Sequence, residues 1–505
     1  MKLQNLLQKL DYECVCGSLE TEISKICCDS RQAVSGSLFV CIKGTDYDGH
    51  DFARKAVESG ASALVTDDKE ALEELAKDFT ETTVIQVESA RYALAYLAAA
   101  FFGEPAGRLT TIGITGTKGK TTTAYLVRSV LEQAGLRTGV IGTIETIIGK
   151  ERIPSVNTTP GPLLLQEYLY RMAEAGMDAV VMEVSSQGLK MCRTEGFIFD
   201  YGIFTNLGED HIGPGEHRDM EEYVACKSLL FRQCRVGIIN CDDPQWQRVV
   251  RDHTCRIETY GFDKNADYRA QNYRLYSGHG ALSTEFEVKK QGNDYGNDSG
   301  GGEEAFVFQT STPGKFSVYN GLAAIAICDH FGVDPQTVWN ALKNACVKGR
   351  MEIVETGRDY TILIDYAHNA MSLKSLLETL REYKPARLVC LFGCGGNRSG
   401  LRRLEMGEAS GQLADYTIIT SDNPRYEEPE KILADIEKGI IPTGGAYTVI
   451  CDRREAIAYG MKNAGAGDIL VLAGKGHEEY QEIKGKKYPM DEREIIRGIL
   501  EKEPA

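Results

Sequence analysis

The run Thr115 to Thr122 reads TGTKGKTT and lies between an apolar stretch, RLTTIGIT (Arg108 to Thr115), and a helical pattern from Thr121 to Gln133. A strand that turns through glycines into a helix commits this part of the chain to α/β architecture. Glycine lets backbone N–H groups close on phosphate oxygens, and the helix start adds its positive dipole end. In such a loop Lys120 reaches the outer phosphates and Thr121 holds Mg²⁺. The strict spacing G-x-x-x-x-G-K-S/T would need glycine at position 114, where Ile114 stands between Gly113 and Gly116, so the loop is a variant.

A chain of 505 residues exceeds one ordinary core, and two to four domains are expected. Residues 1–104 read as a small α/β domain. It has strand-like SLFVCIKG (Ser37 to Gly44), a helical stretch near Asp51 to Ser59, and a further strand in ASALVTD. The turn-rich GEPAG (Gly103 to Gly107) links it to a central domain, residues 105–347. There DAVVMEVSS, YGIFTNL and VGIIN follow the phosphate loop as buried strands, and helical patterns between the earlier ones predict a P-loop-like, mainly parallel sheet. Gly292 to Glu304 is polar and glycine-rich and reads as a surface loop. Residues 348–505 form a third, Rossmann-like α/β domain, with strands TILIDYA, RLVCLFG, YTIITSD and DILVLAG alternating with helices. The expected fold class is therefore α/β in three domains.

The net charge of −16 excludes a general nucleic-acid or anionic-membrane binder, which needs a basic surface. No apolar run approaches the roughly 20 residues needed to span a bilayer, and Tyr92 to Phe102 reads as a buried Ala-rich helix. The N-terminus lacks a signal-peptide pattern, and Leu3, Leu6, Leu7 and Leu10 instead fall at helical spacing. A cytoplasmic monomer without membrane insertion is expected. The 15 cysteines are scattered with no C-x-x-C pair, which favours buried thiols in a reducing compartment over zinc or disulfides.

Further motifs follow in order: DSR (Asp29 to Arg31), NTTPGP (Asn157 to Pro162), MEVSSQGL (Met182 to Leu189), FTNLGEDHI (Phe204 to Ile212) and YVACKSLLF (Tyr223 to Phe231). Then come YNGLAA, GRMEIV, DYAH (Asp365 to His368), FGCGGNR, SDNPR (Ser421 to Arg425) and GKGHE (Gly474 to Glu478). With the loop T-G-T-x-G-K-T-T, this set resembles the Mur ligases along the whole chain, and most of all their tripeptide-forming branch. The resemblance implies an ATP-dependent amide ligase that makes an acyl phosphate on a UDP-muramoyl dipeptide. An amino acid, meso-diaminopimelate, then attacks it. Both steps concentrate negative charge, which favours Mg²⁺ and fixed cations over a protein nucleophile.

The same resemblance distributes the roles. Gly116, Thr117, Lys118, Gly119, Lys120, Thr121 and Thr122 would hold ATP, with Asn320, Arg350, Asp365 and His368 completing the nucleotide set. Lys120, Glu183, His211 and Lys227 would be catalytic, and Thr121, Glu183, His211 and Lys227 would hold the metal, with Lys227 carbamylated into a carboxylate-like ligand. Ser30, Asn157, Thr158, Thr159, Ser185 and Arg193 would bind the UDP-muramoyl dipeptide. Arg398, Asp422, Asn423, Pro424, Arg425, Gly474 and Glu478 would bind the amino acid, and an arginine at the position of Arg425 accompanies diaminopimelate in the family.

The chain departs from the family pattern in places. DHIGPGEHRDMEEY is about two residues longer than usual, Met191 stands where glutamine is common, and DYAHNAM, GGNRSG and MDER replace the usual wording. These differences leave the phosphate chemistry intact and point to a divergent branch or paralogue. They leave open L-lysine or another acceptor in place of the named substrates, and a precursor-binding regulator without catalysis.

Overall fold

Leu3, Leu6 and Leu7 are buried, and the short helix α1 (Leu3–Leu6) presses them into the first sheet. The structure is a computed structural model and describes residues 1–44, 47–69, 79, 81–209, 212–213, 216–278, 280–291 and 305–502. The chain divides into two units, Met1–Tyr260 and Gly261–Ala505. The division falls inside the stretch that the sequence assigns to a central domain. The glycine-rich segment 292–304 lies outside the described residues.

In the first unit, β1 (Tyr12–Cys16), β2 (Lys25–Cys27), β3 (Ser37–Val40), β4 (Ala61–Thr66) and β5 (Thr83–Val87) pair in the order β1-β5-β4-β3-β2. All neighbours are parallel except β1 and β5. The stretch expected to be helical near Asp51 is a 3₁₀ turn, Gly49–Phe52, running into α2 (Ala53–Glu58). The Ala-rich helix is α3 (Ala90–Phe101), capped by the Ser89 hydroxyl, which accepts from the Tyr92 amide at 3.3 Å. Its small residues let it lie close on the sheet, where Ala90, Ala93, Leu94 and Leu97 are buried.

The second sheet of this unit carries the phosphate loop. Its elements are β6 (Thr110–Thr115), α4 (Lys120–Gln133), β7 (Thr138–Ile141), β8 (Glu145–Ile148), β9 (Glu151–Pro154), α5 (Pro162–Glu174) and β10 (Ala179–Glu183). They continue as α6 (Ser186–Lys190), β11 (Phe199–Phe204), α7 (Met220–Ser228), β12 (Cys234–Asn240), α8 (Trp246–Val249) and β13 (Arg256–Gly261). Strand order is β13-β12-β11-β6-β10-β7-β8-β9, parallel as far as β7 and antiparallel beyond it. Because β10, β6 and β11 are parallel neighbours, their carboxyl ends at Glu183, Thr115 and Phe204 share one edge of the sheet. Loops leaving such an edge are where ligands bind in α/β folds. Leu165, Leu169 and Met172 of α5 pack with Val180 and Met182 of β10 and hold that edge in place. Each such side chain contributes about 1.5–3 kcal/mol on full burial.

The second unit begins with β14 (Tyr268–Gly278), β15 (Ala281–Lys290) and β16 (Phe306–Thr310), an antiparallel run whose middle strand alternates buried and part-exposed residues. After α9 (Lys315–His330) and α10 (Pro335–Asn344) come β17 (Glu352–Val354), β18 (Thr361–Asp365), α11 (Ala370–Arg381), β19 (Leu388–Phe392), α12 (Gly400–Leu413) and β20 (Tyr416–Ile419). The chain ends with α13 (Pro429–Ile440), β21 (Tyr447–Val449), α14 (Arg453–Asn463), β22 (Ile469–Ala473), the hairpin β23 (Tyr480–Ile483) and β24 (Lys486–Pro489), and α15 (Glu492–Lys502). The order β17-β18-β22-β19-β20-β21 is parallel apart from β17. Strand order jumps between β18, β22 and β19, so the loops after β18, β19, β20 and β22 gather at one edge.

Candidate active site

The phosphate loop is built by close approach. Gly116 has φ +150° and Gly119 +85°, and a Cβ on Gly116 would lie 1.9 Å from Thr205 Oγ1. Asn206, just past β11, fixes the loop: its carbonyl accepts from the Thr117 amide at 2.8 Å and its side-chain oxygen from the Lys118 amide at 3.0 Å. These two amides face the protein, so the donors offered to an anion are those of the first turn of α4, which lack intrahelical acceptors. Lys120 Nζ lies over the same loop, donating to the Gly116 carbonyl at 2.7 Å and the Thr117 carbonyl at 3.0 Å.

Glu183 closes β10 and is 1% exposed. Its Oε2 accepts from Thr121 Oγ1 at 2.9 Å and Thr143 Oγ1 at 3.0 Å, and its Oε1 from the Thr143 amide at 2.8 Å. Lys227, on α7 and equally buried, donates to the Gly116 carbonyl at 2.9 Å and stands 4.4 Å from the centre of the Tyr223 ring. Two lysine side chains thus converge on one loop carbonyl, and Thr121 at the start of the helix that follows holds the carboxylate. The hydroxyl and carboxylate oxygens of Thr121 and Glu183 are the hard donors that Mg²⁺ takes, and Mg²⁺ typically asks for only one or two protein carboxylates beside phosphate and water. No group of three or more His, Cys, Asp or Glu able to hold a metal occurs among the described residues. The donor set at the loop therefore fits Mg²⁺ with a phosphorylated ligand and does not fit a structural zinc. His211 lies outside the described residues.

Thr158, Thr159, Ser185 and Arg193 gather next to Glu183. Thr159 Oγ1 donates to the Glu183 carbonyl at 3.0 Å and accepts from the Ser185 amide at 2.9 Å, while Ser185 Oγ caps α6 by accepting from the Gly188 amide. Arg193 donates to the Thr159 carbonyl at 2.8 Å, and burial, with Arg91 nearby, lowers its pKa from the usual arginine range. Thr158 reaches Thr143 Oγ1 at 3.0 Å. Asn157 is exposed on the same segment, and Ser30 is buried elsewhere, in the 3₁₀ turn Ser30–Gln32 under Asp29.

In the second unit two clusters form at the carboxyl edge. In the first, Asp365 ends β18 and accepts from the Met351 and Ala367 amides, both at 2.8 Å. Burial raises its pKa, against the pull of Arg350. Arg350 lies 4.9 Å over the Tyr366 ring, and His368 and His477 pack tilted against that ring with centroids at 4.7 and 4.8 Å. Burial and then Arg350 lower the His477 pKa to about 4; burial lowers that of His368 too. Asn320 is partly buried on α9.

The second cluster is centred on Lys475, wholly buried, whose Nζ meets Asn423 Oδ1 at 3.0 Å, Glu478 Oε2 at 3.3 Å and Asp422 Oδ1 at 3.4 Å. Asn423 also donates to Glu478 at 2.8 Å. Gly474 lets Asp422 approach, since a Cβ there would be 2.8 Å from Asp422 Oδ2. The loop after β19 leans on Pro424, whose carbonyl would be 1.9 Å from a Cβ at Gly396. Arg425, at φ +52°, donates from Nη1 to the Gly396 carbonyl at 2.9 Å and from Nε to Glu482 at 3.3 Å. Arg398 is exposed on the same loop as Gly396.

Comparison with known proteins decides what these clusters belong to. Residues 22–102 match the Mur ligase family catalytic domain, 114–328 the Mur ligase middle domain and 349–476 the Mur ligase glutamate ligase domain. The chain is 41% identical over 504 residues to a UDP-N-acetylmuramoyl-L-alanyl-D-glutamate–2,6-diaminopimelate ligase of Caldanaerobacter subterraneus subsp. tengcongensis, covering 99% of each. The chain belongs to the Mur ligase family. A Clostridium acetobutylicum relative, named as ligase 1 of the same kind, is 40% identical with 99% of each chain covered. A solved structure of a UDP-N-acetylmuramoyl-L-alanyl-D-glutamate–2,6-diaminopimelate ligase superposes with TM-score 0.71 at 27% identity, covering 100% of this chain and 99% of that one.

The Mur ligase resemblance drawn from sequence therefore holds along the chain, as does the α/β architecture. No helix among the described residues is long and apolar enough to cross a membrane. The described cysteines are free thiols, but they are not all buried as the sequence suggested: Cys14, on the edge strand β1, and Cys28 and Cys346, in loops, are exposed. Sequence reasoning passed over Thr143, Asn206, Tyr366, Lys475, His477 and Glu482. Lys475 and His477 stand inside GKGHE, where only the first glycine and the glutamate were given roles; Thr143 and Glu482 have no motif to mark them.

Proposed function

We propose that this Mur ligase joins meso-diaminopimelate to UDP-N-acetylmuramoyl-L-alanyl-D-glutamate through an amide bond, with ATP converted to ADP and phosphate. The observation that carries the reading is the convergence of Lys120, Thr121, Glu183 and Lys227 on one glycine loop, in a chain similar over its full length to relatives so named. Lys120 holds the transferring phosphate with a charge-assisted bond, and the first turn of α4 orients the anion. Bound Mg²⁺ would neutralise phosphate charge, held by Thr121, Glu183 and Lys227, with His211 assigned to the same set by sequence. Lys227 is assigned a carbamate: the modified nitrogen keeps one N–H, enough for its bond to the Gly116 carbonyl, and gains oxygens of the kind Mg²⁺ prefers. Thr158, Thr159, Ser185 and Arg193, with Asn157 and Ser30, are assigned to the UDP-peptide. Asn320, Arg350, Asp365 and His368 are assigned to the nucleotide.

Arg425 and Glu482 support diaminopimelate as the amino acid. Its far end is itself an amino-acid centre, with a carboxylate for the arginine and an ammonium for the glutamate. L-Lysine carries only the ammonium, which Glu482 suits equally, and leaves Arg425 without a carboxylate. Arg398, Asp422, Asn423, Pro424, Gly474 and Glu478 complete the assigned pocket. The test is a substrate panel of UDP-muramoyl peptides against amino acids, read as ADP formation. Highest kcat/KM for the named pair supports the reading; preference for L-lysine or for another acceptor overturns it.

A further inference from the structure

The Glu183 carboxylate is joined to the segment assigned to the acceptor through Thr143. Thr143 is the second residue past β7, after Gly142, and a Cβ on Gly142 would lie 2.4 Å from Glu183 Oε1, so the backbone here presses on the carboxylate. From that position Thr143 holds both carboxylate oxygens, Oε1 with its amide at 2.8 Å and Oε2 with its hydroxyl at 3.0 Å. The same hydroxyl oxygen stands 3.0 Å from Thr158 Oγ1, in NTTP. Ser155 in that segment also donates to the Gly142 carbonyl, so the two stretches are tied twice.

We propose that Thr143 is a positioning residue that couples cation binding at Glu183 to binding of the anionic acceptor at Thr158. This rests on the function proposed above.

A hydroxyl has one proton and two lone pairs. Glu183 accepts from an amide and two hydroxyls, and a carboxylate has no proton to give. While Oε2 takes the Thr143 proton, Thr143 has only a lone pair for Thr158, and Thr158 must donate inward. Its outer side then shows lone pairs to the acceptor, whose phosphate and carboxylate oxygens need donors. A cation held by Glu183 and Thr121 would compete for the lone pairs that hold the Thr143 proton. Thr143 can then turn its proton to Thr158, and the Thr158 proton turns outward to the acceptor. No atom moves far, because two rotations about C–O bonds suffice. By linkage the effect is reciprocal: the acceptor tightens the cation by the same factor.

The test is equilibrium binding without turnover. The affinity of UDP-N-acetylmuramoyl-L-alanyl-D-glutamate is measured by calorimetry on the full chain, with a saturating non-hydrolysable ATP analogue, in excess Mg²⁺ and in EDTA. Wild type and Thr143→Ser should bind about tenfold tighter with Mg²⁺, the size of one hydrogen bond to a charged group. Thr143→Val keeps the amide bond to Oε1 but has no hydroxyl, and its gain should fall below about twofold. Thr158→Val, altered on the other side of the contact, should lose the gain as well. Full Mg²⁺-dependent tightening in Thr143→Val, or none in wild type, overturns the coupling. Absence of any binding of this UDP-peptide by wild type overturns the acceptor assignment and the coupling with it, whereas binding with unchanged coupling in the valine variant overturns this proposal and leaves the acceptor assignment standing.

Discussion

Arg425→Ala should separate the amino acid's recognition from the rest of the reaction. The loop keeps its shape without the side chain, because the Arg425 amide donates to the Glu482 carbonyl at 3.0 Å and its carbonyl accepts from Lys484 at 2.6 Å. What is lost is a guanidinium held by Gly396 and Glu482 and aimed by them. A hydrogen bond to a charged group is worth about 1.5–3 kcal/mol, so removing the carboxylate's partner should lower kcat/KM for diaminopimelate by about 10- to 150-fold. The KM for ATP should stay within about twofold. Glu482, itself about one-quarter exposed, is left without its cation. It would then face the L-lysine ammonium unopposed, so lysine use should hold steady or rise, and Arg425→Ala/Glu482→Gln should cancel any rise. Steady-state kinetics with the two amino acids, at fixed saturating ATP and UDP-peptide, measure all of this. Loss of less than threefold for diaminopimelate, or equal losses for both amino acids, would refute the reasoning.

Other substitutions probe the remaining parts of the site. Lys120→Ala should abolish turnover, since a contact to the transferring phosphate is commonly worth several kcal/mol and each ~1.4 kcal/mol is tenfold; ADP release within about threefold of wild type would contradict it. Lys227→Ala should be nearly inactive and partly recovered by acetate or formate at high concentration, and mass spectrometry of the native protein should show the carbamate's added mass at Lys227. His477 has a folded pKa of about 4 against an ordinary 6.5, so the neutral ring's contribution is full above pH 6.5 and is lost as pH falls toward 4. Between pH 7 and 5 this amounts to about 2 kcal/mol. His477→Phe should therefore flatten the pH dependence of urea unfolding over that interval, and an unchanged slope would show that another group carries it.

The α/β architecture was legible because β6, β10, β18, β19 and β22 are largely buried runs rich in branched and aliphatic residues, and such runs announce themselves without any partner. The strands beyond β7 were not. β8 is largely buried but only four residues long and β9 is polar and mostly exposed, and both become sheet only through the pairing that starts at β7, a tertiary fact absent from local pattern. Lys120, Thr121 and Glu183 were readable for a similar reason to the buried strands: a glycine loop and a strand end mark them. Thr143 was not, because a threonine after a strand is commonplace until folding sets it against Glu183 and Thr158. Lys475 reads as an ordinary lysine beside glycines. Only the gathering of loops at one sheet edge shows that its ammonium is buried among Asp422, Asn423 and Glu478. Glu482 lies outside DNPR and GKGHE, and enters the site because Arg425 and Ile483 form a bridge between two loops.

The central claim, that this chain is an amide ligase acting on a UDP-muramoyl dipeptide, is tested most directly by phosphate release in a complete reaction and in reactions each lacking one component. With ATP and Mg²⁺ present, phosphate should appear at the full rate only when UDP-N-acetylmuramoyl-L-alanyl-D-glutamate and meso-diaminopimelate are both supplied, accompanied by one UDP-muramoyl tripeptide per phosphate. Phosphate release that ignores either substrate, or binding of the dipeptide with no release under any combination, would contradict it.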